Sequence, residues 1–141
     1  MSANNQPIFT RTPDVQWTVS ATTVANTTTD LTSGTIYLAF TADATNGGYV
    51  QRIRFRTLGA NSNATVARIW INNAQTTTTA ANNTLFDEIT LPNTAASQVA
   101  AQANYELPLN FALPAGYRIY VTVGTAPTSA GWDVTVIGGK Y

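Results

Sequence analysis

The stretch YELPLNFALPAGYRIYVTV, residues 105–123, decides the fold class because it has the pattern of two β-strands joined by a tight turn. Apolar side chains recur at every second position in both halves, whereas a helix would repeat them every three or four residues. Between the halves, Pro114 fixes its own φ and Gly116 can adopt a positive φ, as a tight turn requires. Pro108 cannot donate a backbone hydrogen bond, which places the first half at the edge of a sheet.

The same alternation extends outward along the chain and predicts six further strands. They lie at residues 15–21, 36–40, 50–58, 65–71, 84–91 and 132–136, around the pair at 105–111 and 117–123. Val15 and Trp17 in the first strand, and Trp132 in the last, are expected to face the core, since large aromatic side chains dominate such interiors. A bulge is expected near Asp87, where the alternation of the fifth strand is irregular.

Eight short strands without a long helical pattern are typical of an all-β sandwich or barrel. The number of strands and the long connections in the middle of the chain favour an eight-stranded antiparallel jelly-roll sandwich over an immunoglobulin-like one. In a jelly roll, strands one, eight, three and six share one sheet, and strands two, seven, four and five share the other.

The predicted domain covers residues 15–141, and residues 1–14 are predicted to form an extended N-terminal arm. The arm is polar, contains two prolines and has no sustained periodicity. It has neither a basic segment nor an apolar run, so we expect no signal peptide. Residues 92–104 are rich in alanine, and both a short helix and an irregular loop remain open there.

The composition argues against several classes of function. Only 10% of the residues are charged and the formal net charge is zero, so neither nucleic acid nor an anionic membrane is an expected partner. The chain has no histidine and no cysteine, which removes the catalytic triads and zinc sites built on them. Asp87 and Glu88 are adjacent and point to opposite faces of a strand, and only a pairing of Glu106 with Asp133 stays open. We therefore expect no enzymatic activity, no cofactor and no metal.

Three arginines alternate along the third predicted strand. Arg52, Arg54 and Arg56 lie on one face, opposite the apolar residues between them, and consecutive arginines are about 7 Å apart. Such a basic stripe can bind an acidic partner surface, because the guanidinium group binds carboxylates through two hydrogen bonds. The alternative is internal neutralisation by Asp133 and Glu106 on the neighbouring strands.

Trp70 and Arg68 form a second candidate contact. Both lie on the face of the fourth strand that is opposite Ile69 and Ile71. Tryptophan and arginine are enriched at the energetic centres of interfaces, so these two residues join the three arginines as candidates for protein contacts.

Several segments resemble a family of small virion proteins of tailed bacteriophages, the jelly-roll capsid decoration or cement proteins. The resemblance lies in residues 49–55, 67–73, 85–92, 105–111, 113–117 and 131–139. It implies an oligomer, a trimer in the first place with a dimer as the alternative, that binds the major capsid protein at junctions of the assembled head. It also implies a location on the outer surface of the virion after synthesis in the bacterial cytoplasm, and it carries over no cofactor and no catalytic residue.

A receptor- or glycan-binding module of a phage head or tail fibre is the alternative. Jelly rolls also serve as lectins, and Tyr37, Tyr49, Tyr117 or Tyr120 could stack on sugars.

Overall fold

The computed structural model describes residues 9–18, 23–127 and 130–141, and in these ranges the chain forms eight β-strands and one short 3-10 helix. The elements are β1 (Thr12–Trp17), β2 (Tyr37–Thr41), β3 (Gly48–Thr57), β4 (Thr65–Asn72), a 3-10 helix (Ala80–Asn82), β5 (Asn83–Leu91), β6 (Tyr105–Leu113), β7 (Arg118–Val123) and β8 (Trp132–Lys140). Each predicted strand corresponds to one of these eight.

The strands form two antiparallel sheets of four strands each. The order is β1-β8-β3-β6 in the first sheet and β2-β7-β4-β5 in the second sheet. The two sheets pack through their inner faces as a β-sandwich, which confirms the all-β sandwich expected from the sequence. Pro108 lies in β6, which is the edge strand of the first sheet, as predicted. Proline has no backbone N–H to donate, and on the open side of an edge strand no neighbouring strand requires one.

The core contains side chains from every strand except β1. Its largest fully buried members include Trp132, Phe40 and Phe55. The ring of Tyr105 meets Trp132 edge-on, with 5.5 Å between ring centroids. Trp132 is thus a core residue, as the sequence predicted.

β-bulges interrupt the alternation of inward and outward side chains in β3 and β5. The pairing of β3 with β8 shifts between Val50 and Arg52, so Gln51 is an extra residue in β3. This insertion lets both Val50 and Ile53 face the core, although they are three residues apart. In β5 the register shifts opposite Ile69 and Trp70, which makes Phe86 the extra residue and confirms the bulge expected beside Asp87.

The orientation of β1 contradicts the sequence prediction. Asp14 and Thr18 are buried and Gln16 points inward with them, whereas Val15 and Trp17 are exposed on the outer side. The Gln16 amide explains this: its Nε2 donates to the Thr41 carbonyl (2.8 Å) and its Oε1 accepts from the Thr41 N–H (2.9 Å). The side chain thus takes the place of a peptide group and joins the edge strand of one sheet to the edge strand of the other.

The boundary of the N-terminal arm also needs correction. β1 begins at Thr12, and the N–H of Arg11 already donates to the carbonyl of Lys140 (2.7 Å). The last residues of the predicted arm therefore belong to the sheet. Residues 1–8 and the predicted strand positions 19–21 lie outside the described residues.

Two connections between strands are irregular. Residues 92–104 contain no helix, and one bridge, Asn61 to Thr94, ties this segment to the loop after β3. Residues 23–36 cross the outer side of the second sheet, where the N–H of Asn26 donates to the Val123 carbonyl (2.7 Å). Leu31 and Ile36 of this segment pack on that sheet and cover part of it.

Candidate interaction surface

The outward side chains of the first sheet form the surface that we call the outer face. Its rows follow from the pairing registers across the four strands. One row consists of Val15, Ile137, Arg52 and Pro108, the next of Trp17, Thr135, Arg54 and Glu106, and a third contains Asp133 and Arg56. The β1 side of the outer face is therefore largely apolar, and the β3 side is basic.

Arg52, Arg54 and Arg56, which the sequence analysis named as candidates for protein contacts, lie together on the outer face. One carboxylate neutralises part of their charge. The Nε of Arg54 lies 2.5 Å from Glu106 Oε1, and Nη1 of Arg52 lies 3.8 Å from Oε2 of the same carboxylate. The predicted pairing with Glu106 is therefore present. Asp133 lies opposite Arg56 in register, but Arg56 Nη1 donates instead to the Gln102 carbonyl (2.8 Å) and to Asn104 Oδ1.

Arg52 has the weakest set of partners among the three arginines. Its Nε has no hydrogen-bond partner among the described residues, and its side chain keeps 41% of its accessible area. It lines a shallow depression of about 260 Å³ together with Glu106, Pro108 and Asn110. Since one glutamate serves two guanidinium groups, the outer face keeps a positive character on the β3 side.

The apolar part of the outer face comes from residues that the sequence analysis assigned to the core. Trp17 is 64% exposed and Val15 is exposed beside it. Ile137, half-buried on β8, lies directly across from Val15. Trp17 and the arginines of β3 thus share one face, with β8 between them, and tryptophan and arginine are the residue types enriched at the energetic centres of protein interfaces.

Trp70 lies in a different environment from the one the sequence suggested. It is 2% exposed, packs with Leu31 and Tyr120, and donates from Nε1 to Thr122 Oγ1 (3.0 Å). Residues 23–36 cover this part of the second sheet, so Trp70 is not available for a contact with another protein. Trp70 does lie on the face of β4 opposite Ile69 and Ile71, but alternation along β4 carries no information on which distant segment covers that face.

Arg68 stays near the surface of the second sheet, but it is well partnered. Its Nε donates to Glu88 Oε1 (2.8 Å) and its Nη1 donates to the Asn26 carbonyl (3.4 Å). This places Arg68 on the opposite side of the sandwich from the other three arginines, and its contacts secure residue 26 and β5 to the sheet. The five predicted contact residues are therefore not one surface: Arg52, Arg54 and Arg56 are together, and Arg68 and Trp70 are elsewhere.

Sequence reasoning missed Val15 and Trp17 as surface residues, although one signal was present. Gln16 and Asp14 stand between apolar residues on a strand at the edge of the sandwich, where a polar side chain can point inward and bond the other sheet. Alternation by itself does not say which of the two sets faces inward.

The described residues offer no metal centre and no membrane-crossing helix. In these ranges no three side chains of the His, Cys, Asp or Glu type are grouped so that they could hold a metal ion. Within the same part of the chain, no helix has the length and apolar character needed to cross a membrane. No family model, no curated protein and no solved structure matches this chain.

Proposed function

We propose that this protein is a capsid decoration protein of a tailed bacteriophage, which binds the assembled head and stabilises the junctions between major capsid proteins. It acts without catalysis, as a homo-oligomer on the outer surface of the virion, and a trimer is expected. The support combines the resemblance of the six segments named above with the character of the outer face.

The outer face is the single observation that carries the proposal. A strand at the sheet edge exposes Trp17 and Val15 on the same face as the arginines of β3, with β8 between them, while a polar residue of the same strand points inward. Exposing large apolar side chains in this way is unfavourable in water unless another protein covers them. A subunit of a larger particle has such a partner, because its surface is buried when the particle assembles.

The strand order supports a jelly roll as the finer description of the sandwich. The order β1-β8-β3-β6 in one sheet and β2-β7-β4-β5 in the other is the order that a jelly roll has. Jelly-roll subunits present two broad sheet faces and short loops, and the first sheet of this protein presents the outer face.

The proposed mechanism is stabilisation by mass action. A protein that binds the assembled shell and not the dissociated subunits lowers the free energy of the shell and leaves that of the subunits unchanged. This stabilisation of the shell grows with the number of bound copies. No chemical step is involved, and each added copy contributes its own interface.

The test uses the purified protein and mature shells that lack it. We expect the protein to co-sediment with shells in a fixed ratio to the major capsid protein and to raise the temperature at which the shells break open. Trp17→Ser should weaken shell binding by about tenfold or more. Val99→Ser is the matched control, because Val99 is 98% exposed and belongs to none of the rows of the outer face. Shells that bind no protein, or that open at an unchanged temperature when saturated, would contradict the proposal.

Receptor or glycan binding is the second candidate, and one depression favours it. Phe9, Thr10, Tyr49 and Tyr141 line a cavity of about 190 Å³, and the Tyr49 hydroxyl donates to Asn110 Oδ1 (3.2 Å). Aromatic rings with a polar neighbour are suited to stacking on sugars. Of the other candidate tyrosines, Tyr120 is buried and the Tyr37 hydroxyl accepts from the backbone of residues 23 and 24. Specific hits on a glycan array that Tyr49→Ala abolishes would favour this function over capsid decoration.

A further inference from the structure

The depression on the outer face lies where β3 and β6 both depart from regular pairing. It measures about 260 Å³ and is lined by Gln51, Arg52, Glu106, Pro108 and Asn110. Gln51 is the extra residue of β3 against β8, and residues 109–110 of β6 stand opposite Gln51 alone. β-bulges re-aim side chains and are frequent next to active sites. Two bulges that meet across one strand pair therefore shape this depression.

Asn110 has an unusual backbone conformation at its bulge and an amide group that is partly unused. Its φ is 51°, in the left-handed region that residues other than glycine seldom adopt. The Tyr49 hydroxyl donates to Asn110 Oδ1 (3.2 Å) and fixes the side chain. Among the described residues, neither Asn110 Nδ2 nor the exposed side-chain amide of Gln51 makes a hydrogen bond. Two amide donors are thus available at the depression.

Arg52 adds a cation whose donors are also unused. Its Nη1 lies 3.8 Å from Glu106, beyond hydrogen-bonding distance, and its Nε has no partner among the described residues. By contrast, Arg54 Nε lies 2.5 Å from Glu106, and Arg56 donates to the Gln102 carbonyl. Since Glu106 cancels only one of the two charges of Arg52 and Arg54, the depression keeps one positive charge. One carboxylate would neutralise it and accept from Arg52.

The neighbours of Arg52 on the outer face are apolar. Ile137 of β8 lies on one side of it in register, and Pro108 of β6 lies on the other. The neighbours of Arg54 in the next row are both polar. When a partner docks, apolar neighbours exclude water, and an ion pair that is shielded from water attracts more strongly than an exposed one. The position of Arg52 in its row therefore favours it over Arg54 as the cation that meets a partner.

We propose that this depression is a carboxylate-binding subsite, in which Arg52 binds an aspartate or glutamate side chain of the shell protein. The amides of Gln51 and Asn110 supply further donors to the same carboxylate. This inference rests on the proposed function, because it names the chemical group of the shell that contacts the outer face. It also separates the three arginines by role: Arg52 binds the partner, whereas Arg54 and Arg56 hold Glu106 and the segment 102–104 in place.

Shell binding by arginine variants tests the subsite. Arg52→Gln should weaken binding to shells by about tenfold or more, and Arg52→Lys should recover only part of this loss, because lysine keeps the charge but not the planar pair of donors. Arg118→Gln is the matched control, since it removes the same charge from β7 in the second sheet, and it should bind as the wild type does. Circular dichroism verifies that each variant is folded. Wild-type affinity of Arg52→Gln would overturn the inference.

The chemistry of the partner is tested on the shells themselves. Shells whose surface carboxylates have been converted to amides should bind the wild-type protein about tenfold more weakly. The same treatment should weaken binding of Arg52→Gln much less, because the two changes remove the same ion pair and their effects do not add. Equal losses for the wild type and for Arg52→Gln would contradict a carboxylate at Arg52.

A titration of the isolated protein separates this inference from the proposed function. Sodium acetate, compared with sodium chloride at the same ionic strength, should shift the NMR signals of the Arg52 Nε–H and Asn110 Nδ2–H groups. In Arg52→Gln the shift at Asn110 should be lost. Acetate shifts in a protein that does not bind shells would contradict capsid decoration alone, whereas shell binding without acetate shifts would contradict the subsite alone.

Discussion

Asn61 is a polar side chain with no exposed area. It is fully buried between the loop after β3 and the start of β8. Its Nδ2 donates to Thr57 Oγ1 (3.0 Å) and to the Gly131 carbonyl (3.1 Å), and its Oδ1 accepts from the Gly131 N–H (2.8 Å). One amide thereby satisfies both backbone groups of Gly131, which no water could reach once the loops have closed.

Replacing Asn61 with alanine should therefore lower the free energy of unfolding by about 1–3 kcal/mol, since its three hydrogen bonds are lost and the Gly131 N–H loses its acceptor, while the Gly131 carbonyl keeps the Leu58 N–H (3.2 Å). Urea denaturation followed by tryptophan fluorescence measures this loss. Asn63→Ala is the matched control, because Asn63 is exposed and its amide makes one surface contact with the Ala126 carbonyl. A loss for Asn61→Ala as small as that for the control would contradict the structural role of this amide.

Gly138 permits the close approach of β3 and β8 at the bulge. A Cβ atom added there would overlap the carbonyl oxygen of Tyr49, which is backbone and cannot move aside without separating the strands. We expect Gly138→Ala to cost about 1–3 kcal/mol of unfolding free energy. Gly124→Ala is the control, because its added Cβ would only reach ordinary contact with the Arg68 guanidinium. Equal thermal midpoints for the two variants would show that the strands can separate without cost.

At the scale of the element, β1 shows how an edge strand can present its apolar side chains to the outside. The inner face of the sandwich at this edge is closed by Gln16 and Asp14 rather than by apolar packing. Asp14 accepts a hydrogen bond from Gln16 Nε2 (2.9 Å) and lies 3.9 Å from Lys140 Nζ. The polar residues are thus engaged across the edge, and Trp17 is left exposed on the outer side.

Gln16→Ala should open this edge of the sandwich. Both hydrogen bonds to Thr41 are lost, which we expect to cost about 1–3 kcal/mol of unfolding free energy and to speed hydrogen exchange at the Thr41 amide. Gln51→Ala, an exposed position on β3, serves as the control. If the Thr41 amide exchanges as slowly in Gln16→Ala as in the wild type, the bridge between the two edge strands does not hold the edge closed.

At the scale of the whole molecule, the absence of histidine determines how stability depends on pH. None of the 141 residues is a histidine, so no side chain with an ordinary pKa near neutrality can change charge there. Hydrogen bonds from the N–H groups of Asn46 and Thr45 lower the pKa of Asp43 below 3.8, and those from Thr32 lower the pKa of Asp30. The unfolded chain therefore binds these protons more readily than the folded chain does.

The stabilisation from these two carboxylates is consequently present above pH 3.8 and lost as the pH falls through their lowered folded-state pKa values. We expect a thermal midpoint that is constant from about pH 5 to 8 and that falls below about pH 4. Asp43→Asn should reduce this fall, because its amide oxygen can still accept the turn hydrogen bonds but does not titrate. A midpoint that changes steeply near neutral pH would contradict this assignment.

The proposed shell binding belongs to the same scale, because it would bury a surface that the isolated chain leaves exposed. The basic and apolar halves of the outer face come from β3 and β1, which are far apart in the chain. They share one face only after the first sheet has formed, which is why composition and net charge gave no indication of it.

The positions of the strands, and the inward faces of β3, β4, β6, β7 and β8, follow from the local pattern of apolar and polar residues. Alternation sets which side chains of a strand share a face, and turn residues set where the strand ends. Both the shared face and the strand end can therefore be predicted from residues that are close together in the sequence. The edge position of Pro108 and the bulge beside Asp87 were predictable for the same reason.

The orientation of β1 and the burial of Trp70 depend on contacts between residues far apart in sequence. Gln16 points inward because Thr41 of the other sheet offers it a peptide group, and Trp70 is covered because residues 23–36 cross its sheet. Alternation is symmetric between the two faces of a strand, so it does not tell which face another segment will cover. Only the packing of the complete chain decides that Trp17 is left outside, on the face where we propose that this protein binds.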